Sequence, residues 1–318
     1  GRIAAPRISS RLYTGDAVRA QTGIQQKWSL LRDLGQPSKG PLRLKALHSV
    51  SDVRLAPLLR TKWGQLWIAS DEESSRRGFY NYYTPQILSD GTLSWDHGGL
   101  HHGDADNYFS GCVATAMAQL MRYYEFPLDE PIQPDPGDPN NVVQVGRLNA
   151  DSTFLPLVSD VYRGLLGGDG FGGEYAWAQM PAEPNGYTTT EQAKAIGALC
   201  HDAGVAARME YAAQESRTKL YHGKQALINN FHYESAVYYN ADDGNIGPVL
   251  VGMINPNLDA GRPVIVGILG PNLGHAVVVD GYGYDSGTLY HHLNMGWEGA
   301  DNIWYNLPII ECQEQGYS

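Results

Sequence analysis

Apolar residues recur at helical spacing between positions 111 and 127, and this is the clearest pattern in the chain. The repeating positions are Val113, Ala116, Met117, Leu120, Met121 and Tyr124. Residues three or four apart share one face of a helix, and a proline such as Pro127 ends it. The pattern predicts an amphipathic helix that follows Gly111 and carries Cys112 in its first turn.

Three further segments have weaker helical spacing. Residues 24–34 form a short amphipathic run that a glycine and a proline stop. A second run covers residues 190–203 and ends at Gly204. A third covers residues 219–230, and its inward positions are predicted to be Leu220, Ala226, Leu227 and Phe231.

The last third of the chain changes to β-type patterns. Residues 263–269, 275–282 and 288–294 are rich in β-branched and aromatic residues and are separated by Gly, Pro, Asn and Asp. These runs predict an antiparallel meander. Residues 64–111 show weak periodicity and are interpreted as long surface loops, and the four prolines of residues 131–141 predict another loop.

Length and composition limit the class of protein. The chain of 318 residues exceeds one typical domain, so two lobes are expected. Its 42% apolar and 18% charged residues are typical of a globular protein. The 23 basic and 34 acidic residues give a net charge of −11, which disfavours a nucleic-acid partner. No apolar run approaches the roughly 20 residues of a membrane-spanning helix.

The three cysteines differ in their settings. Cys112, Cys200 and Cys312 cannot all pair with one another. The first turn of a helix favours a thiolate, so Cys112 is a candidate nucleophile, and Gly111 before it permits close backbone approach. The alternative is a small buried core residue, which is the interpretation for Cys200. Cys312 lies near the end of the chain.

A nucleophilic cysteine needs a base, which is usually a histidine far away in sequence. His275 is the candidate because it follows a glycine and begins an unbroken β run, although a structural histidine is the alternative there. The pair His101 and His102, with Asp104 and Asp106 nearby, could suggest a metal site. Adjacent histidine side chains diverge, so no metal site is predicted.

Several segments together resemble the streptopain family of papain-like cysteine peptidases. They are GCVATAMAQLMRYY at 111–124, KWGQ at 62–65, GHAVVVDG at 274–281, HLNMGW at 292–297 and the stretch from Tyr175 to Pro181. They agree with the family in order and spacing, and the resemblance covers roughly residues 53–307. Such a set is far more specific than a lone cysteine or histidine.

The resemblance implies a papain-like α+β fold and a cysteine endopeptidase that needs no metal or organic cofactor. It implies that Cys112 is the nucleophile and that His275 is the general base and acid. Gln65 and the Cys112 N–H would form the oxyanion hole, Asn294 would orient His275, and Trp297 would pack over that contact. The alternatives are an ordinary loop residue for Gln65 and a core aromatic for Trp297.

The chain departs from the family at two places. Met295 stands where the family has a tryptophan, which leaves the shielding of the contact between His275 and Asn294 open. Family members continue past the strand matching residues 302–307 with a closing strand, whereas this chain ends at Ser318. We therefore expect a divergent or truncated end, with consequences for the cleft or for the stability of the β half.

The resemblance also suggests a domain organisation. Residues 1–50 are polar and basic and are interpreted as an N-terminal extension, the remnant of a zymogen pro-segment, with cleavage between Leu42 and Val53. A plain extension is the alternative. Residues 51–318 form the catalytic domain, with a helical and loop lobe at 51–205 and a β-rich lobe at 206–318.

The expected partners are protein or peptide substrates and the chain's own pro-segment. Because known family members are exported by bacteria, secretion is expected, although the chain shows no signal peptide. The resemblance also suggests a preference for a hydrophobic side chain two residues upstream of the cleaved bond. The alternatives are an acyltransferase or amidase with the same dyad, or a weakly catalytic binding or adhesion module that kept the fold.

Overall fold

The computed structural model describes residues 8–12, 46–69, 76–97, 99–149, 151–240, 248–269, 274–308 and 310. Within these ranges the helices are α1 (Cys112–Tyr124), α2 (Thr190–Ala206), α3 (Leu220–Asn229) and α4 (Pro248–Asp259). The first six strands are β1 (Ile8–Leu12), β2 (Asp52–Leu55), β3 (Trp67–Ala69), β4 (Arg76–Gly78), β5 (Val143–Leu148) and β6 (Phe154–Val161). The others are β7 (Glu210–Ala212), β8 (Ala236–Asn240), β9 (Val264–Leu269), β10 (Gly274–Asp285), β11 (Thr288–Asn294) and β12 (Trp304–Tyr305).

The main sheet has the strand order β12-β11-β10-β9-β1-β8, and β2 pairs with β10 beside this path. Strands β9, β10, β11 and β12 pair antiparallel to one another in chain order, which confirms the predicted meander. β1 pairs in parallel with both β8 and β9. It comes from the stretch interpreted as an N-terminal extension, yet it pairs within the sheet that carries His275.

Strand β10 is covered on both faces, which explains its continuous apolar sequence. Ala276 and Val278 belong to the hydrophobic core that surrounds α1. Val277 and Val279 belong to a second core on the other face, which also contains Met295 and Trp297. Alternate residues of a strand point to opposite faces, so burial on both sides removes the polar alternation.

Helix α1 lies at the centre of the first core. Its bounds match the predicted helix, but all of residues 112–121 are buried, so the helix is covered on every side rather than on one face. α2 and α3 pack on it together with β10, which places α1 between the two halves of the chain. The helix ends at Glu125, a left-handed residue whose N–H donates to the carbonyls of Arg122 and Met121.

The helices α2 and α3 confirm two further predictions, with one correction. Helix α2 does not stop at Gly204 but continues to Ala206. A Cβ atom at Gly204 would lie 2.4 Å from the Tyr211 hydroxyl oxygen, so this glycine permits close packing and does not end the helix. The start of α2 is fixed by a reciprocal capping box between Thr189 and Gln192.

The interpretation of residues 64–111 as surface loops is wrong for much of that segment. Phe79 and Tyr80 are fully buried in the first core, although the backbone around them has little regular structure. Buried asparagines satisfy that backbone: the Asn81 amide donates to the Asn107 carbonyl at 2.7 Å, and the Asn107 amide donates to the His101 carbonyl at 2.9 Å. Polar side chains thus replace the hydrogen bonds of a helix or sheet.

Strands β5, β6 and β7 form a separate small sheet that sequence periodicity did not reveal. β5 and β6 lie within the lobe that was predicted to be helical and loop-like, whereas residues 131–141 are irregular as predicted. The predicted helix at 24–34 and residues 311–318 lie outside the described residues. Among the described helices, none is both long and apolar enough to cross a bilayer.

Candidate active site

Cys112 is the first residue of α1, and Gly111 sets the turn into that helix. Gly111 has a φ of 91°, in the left-handed region that favours glycine. A Cβ atom there would lie 2.7 Å from the Met209 Cε atom and 3.0 Å from the Ser216 carbonyl oxygen. Only glycine therefore lets the chain enter α1 at this angle, with Cys112 in the first turn, where the backbone N–H groups favour an anion.

Gln65 lies in a buried segment that is tied to the start of α1. The Ser110 N–H donates to the Gln65 carbonyl at 3.0 Å, and the Thr115 hydroxyl donates to the Gly64 carbonyl at 3.0 Å. The Gln65 side chain is buried, and its Oε1 has no hydrogen-bond partner among the described residues. The NH₂ group of an amide held at this position is the kind of donor that stabilises an oxyanion.

His275 is buried near the beginning of β10 and its ring is held on one nitrogen. Nε2 lies 2.7 Å from the main-chain carbonyl oxygen of Met295. A carbonyl only accepts, so Nε2 carries the hydrogen and donates it. The Trp297 ring packs against the imidazole, with ring centroids 4.9 Å apart and an interplanar angle of 35°.

The hydrogen bonds of Asn294 differ from those that the resemblance implied. Its Oδ1 accepts from the Gly296 N–H at 3.1 Å and from the Gln119 amide at 3.2 Å, and its Nδ2 donates to the Thr61 carbonyl at 2.6 Å. The imidazole bond is therefore made by the main chain of Met295, one residue further on. Gly296 has a φ of 68°, and this tight turn keeps the Asn294 side chain facing α1.

Met295 stands where the family has a tryptophan, and the structure shows which residues shield His275 instead. The Met295 side chain is fully buried in the second core, while its carbonyl accepts from His275 and its N–H donates to Asn302 Oδ1 at 2.8 Å. Trp297 is also buried and covers the imidazole itself rather than a contact with Asn294. The ring of His275 is thus shielded without an indole at position 295.

Gln119 is a site residue that the sequence reasoning missed. It lies seven residues after Cys112 on α1 and is fully buried. Its Oε1 accepts from the Trp63 N–H at 3.3 Å, and its Nε2 donates to Asn294 Oδ1 at 3.2 Å. One side chain thus joins the segment of Gln65 to the segment of Met295. Gln119 falls outside the predicted apolar stripe of this helix, so its periodicity gave no signal for a buried site residue.

Cys200, the other cysteine that the structure describes, is not part of this site. Cys200 is fully buried, and burial, with a further contribution from the negative charge of Asp202, raises the pKa of its thiol. Such a thiol is unreactive near neutral pH. No disulfide joins Cys112 to Cys200. Cys312 lies outside the described residues.

His101 and His102, the candidate metal ligands, have different partners. His101 Nδ1 lies 3.6 Å from Asp104 Oδ2, whereas the His102 ring packs edge-on against Tyr83 at 4.6 Å. Across the described part of the chain, no group of three or more His, Cys, Asp or Glu residues could hold a metal ion.

Comparison with solved structures assigns the fold. Prointerpain A from Prevotella intermedia superposes with a TM-score of 0.55 at 22% identity, over 86% of this chain and 73% of that one. Active interpain A, a cysteine protease of the same organism, gives 0.51 at 23% identity, over 83% and 91% of the two chains. The fold is therefore the α+β fold of the papain-like cysteine peptidases, as predicted.

Sequence comparison then assigns the family. The profile of the Peptidase C10 family matches residues 75–305, so the chain belongs to that family. The thiol protease/hemagglutinin PrtT of Porphyromonas gingivalis is 31% identical over 202 residues, which are 64% of this chain and 21% of PrtT. Streptopain of Streptococcus pyogenes is 24% identical over 209 residues, 65% of this chain and 48% of streptopain. The chain thus matches about a fifth and about half of these two relatives.

Proposed function

We propose that this protein is a cysteine endopeptidase with Cys112 as nucleophile and His275 as general base and acid. The observation that carries the proposal is the hydrogen bond from His275 Nε2 to the Met295 carbonyl, beneath the Trp297 ring. It fixes the hydrogen on Nε2 and leaves Nδ1 as the nitrogen that exchanges a proton with the thiol.

The reaction follows from these roles. The Cys112 thiolate attacks the peptide carbonyl carbon, and the Gln65 amide and the Cys112 N–H stabilise the resulting oxyanion. Each such donor typically lowers the barrier by about 3–4 kcal/mol. The imidazolium of His275 then protonates the leaving amine as the C–N bond breaks, which leaves a thioester on Cys112. His275 takes a proton from the water that attacks this thioester, and the acid and the thiol are released.

Substrates, processing and location extend the same proposal. Protein substrates with a hydrophobic side chain two residues upstream of the cleaved bond suit the family resemblance. We propose that residues 1–50 are what remains of a pro-segment, followed by the catalytic domain, in a protein that bacteria secrete as a zymogen. Family membership favours a peptidase over the acyltransferase or amidase alternative, and analysis of the products formed with water and with added amines distinguishes them.

Labelling of the thiol tests the proposal. We expect a brief treatment with an epoxysuccinyl inhibitor at pH 6 to add one label, which peptide mapping places on Cys112. An ordinary thiol with a pKa near ~8.5 is almost wholly protonated at that pH. Cys200 serves as the internal control because burial raises the pKa of its thiol. If Cys112 remains unlabelled even after limited proteolysis of the N-terminal segment, the proposed site is wrong.

A variant at Gln119 tests whether its hydrogen bonds to Trp63 and Asn294 position the catalytic residues. We expect Gln119→Met to lower kcat about tenfold or more, because Trp63 and Asn294 each lose a hydrogen-bond partner. The pH profile of Cys112 alkylation should also shift, since the Met295 carbonyl that holds His275 follows directly after Asn294. Met117→Leu, on the same buried helix, is the matched control. A loss of thermal stability with unchanged kcat and an unchanged pH profile would limit Gln119 to a purely structural role.

A further inference from the structure

Glu298 lies between the segment of Trp63 and Gly64 and the segment of Trp297, but it is not one of the proposed catalytic residues. It follows Trp297, whose ring packs on His275, and its N–H donates to the Trp63 carbonyl at 3.2 Å. A Cβ atom placed on Gly64 would lie 2.8 Å from both Cγ and Oε1 of Glu298. The carboxylate therefore lies against the residue that precedes Gln65, the proposed oxyanion donor.

The carboxylate of Glu298 has no partner of its own among the described residues. It accepts no hydrogen bond and forms no ion pair there, although the residue is accessible from solvent. Lys62, whose side chain lies against Gly299, pairs its Nζ with Glu183 at 2.9 Å, and the Tyr80 ring lies near the same glycine, Gly64, as the carboxylate. A solvent-accessible carboxylate without a partner in its own protein can accept a hydrogen bond from a charged group of a ligand.

Two further features distinguish Glu298 from an ordinary surface carboxylate. Its backbone φ is 56°, in the left-handed region where a residue with a Cβ atom is strained. The surrounding protein removes water from the carboxyl and raises its pKa to about 7. Strain and lost hydration at one residue beside a reactive centre are typical of a functional position.

We infer that Glu298 binds a cationic side chain of the substrate, lysine or arginine, on the leaving side of the cleaved bond. The inference rests on the proposed function, since it uses His275 as the acid that protonates the leaving amine. The leaving peptide must then lie next to the imidazole. Glu298 lies against Gly64, between Trp297 on the imidazole and Gln65, so its carboxylate borders the place where the leaving amine is protonated. A bound ammonium or guanidinium group would give the carboxylate the partner that it lacks.

Matched peptides test the inference. Two series of quenched fluorogenic peptides differ only in carrying lysine or norleucine at one leaving-side position at a time. We expect the full chain to cleave the best lysine peptide about tenfold faster in kcat/KM than its norleucine match at pH 8. The ratio should fall towards one at pH 6, because the carboxyl of Glu298 is then mostly protonated. The protonation of Cys112 and His275 affects both peptides equally and cancels in this ratio.

The variant Glu298→Gln should cleave the norleucine peptides as the parent does, within about threefold, and show no lysine preference at either pH. Glu183→Gln is the matched control, since it removes a neighbouring carboxylate that is already paired with Lys62, and it should keep the preference. A lysine preference that is absent in the parent, or that persists in Glu298→Gln, overturns the inference while cleavage itself upholds the peptidase. If no peptide is cleaved by any form, before or after limited proteolysis, the proposed function fails and the inference fails with it.

Discussion

Cys112→Ala is expected to abolish peptide hydrolysis while leaving the fold intact. The thioester intermediate requires the sulfur atom of Cys112. Loss of the nucleophile in comparable acyl-transfer enzymes lowers kcat by roughly 10⁴-fold or more. Only one sulfur atom is removed from the first turn of α1, so the free energy of unfolding should change by about 1 kcal/mol or less. Turnover of a fluorogenic peptide and thermal unfolding measure the two quantities.

The matched control for this variant is Cys200→Ala. Cys200 lies fully buried in α2, so its substitution should leave kcat unchanged while lowering the unfolding temperature more than Cys112→Ala does. The opposite pattern, with hydrolysis retained in Cys112→Ala and lost in Cys200→Ala, would show that the nucleophile had been assigned to the wrong cysteine.

The elements that the sequence predicts well are those in which local pattern and burial agree. Helix α1 combines regular apolar spacing with a glycine before it and a proline after it, and its bounds match the prediction. The meander of β9, β10 and β11 matches as well, because runs of valine and isoleucine leave few other ways to bury so much apolar surface. These elements also carry Cys112 and His275.

The parts that escaped prediction depend on contacts between distant segments. The aromatic residues at 79–80 lack periodicity because asparagine side chains, rather than a helix or strand, satisfy the backbone that buries them. The partner of His275 could not be read from residue types at all, since it is a main-chain carbonyl and any residue at position 295 supplies one. Asn294 has the right side chain for that task, and only the turn at Gly296 and the amide of Gln119 show where its hydrogen bonds go.

This arrangement changes how a variant at position 275 should behave. His275→Ala removes the ring whose Nε2 is bound to the Met295 carbonyl, and with it the group that we propose exchanges a proton with Cys112. We expect kcat to fall by roughly 10³-fold or more, since a positioned base and its role as acid are both lost. Hydrolysis at near-parent rates would remove His275 from the mechanism.

The alkylation of Cys112 in His275→Ala is the sharper measurement, because it needs no turnover. Without an imidazolium partner the thiol should ionise as an ordinary cysteine, with a pKa near ~8.5, so that only about 0.3% is thiolate at pH 6. Alkylation by a small neutral reagent should therefore slow by roughly 100-fold at pH 6 and change little at pH 9. His222→Ala, which alters a half-buried histidine of α3, should keep the parent profile. If His275→Ala is alkylated at pH 6 as fast as the parent, the helix N-terminus alone activates the thiol and the ion pair is not required.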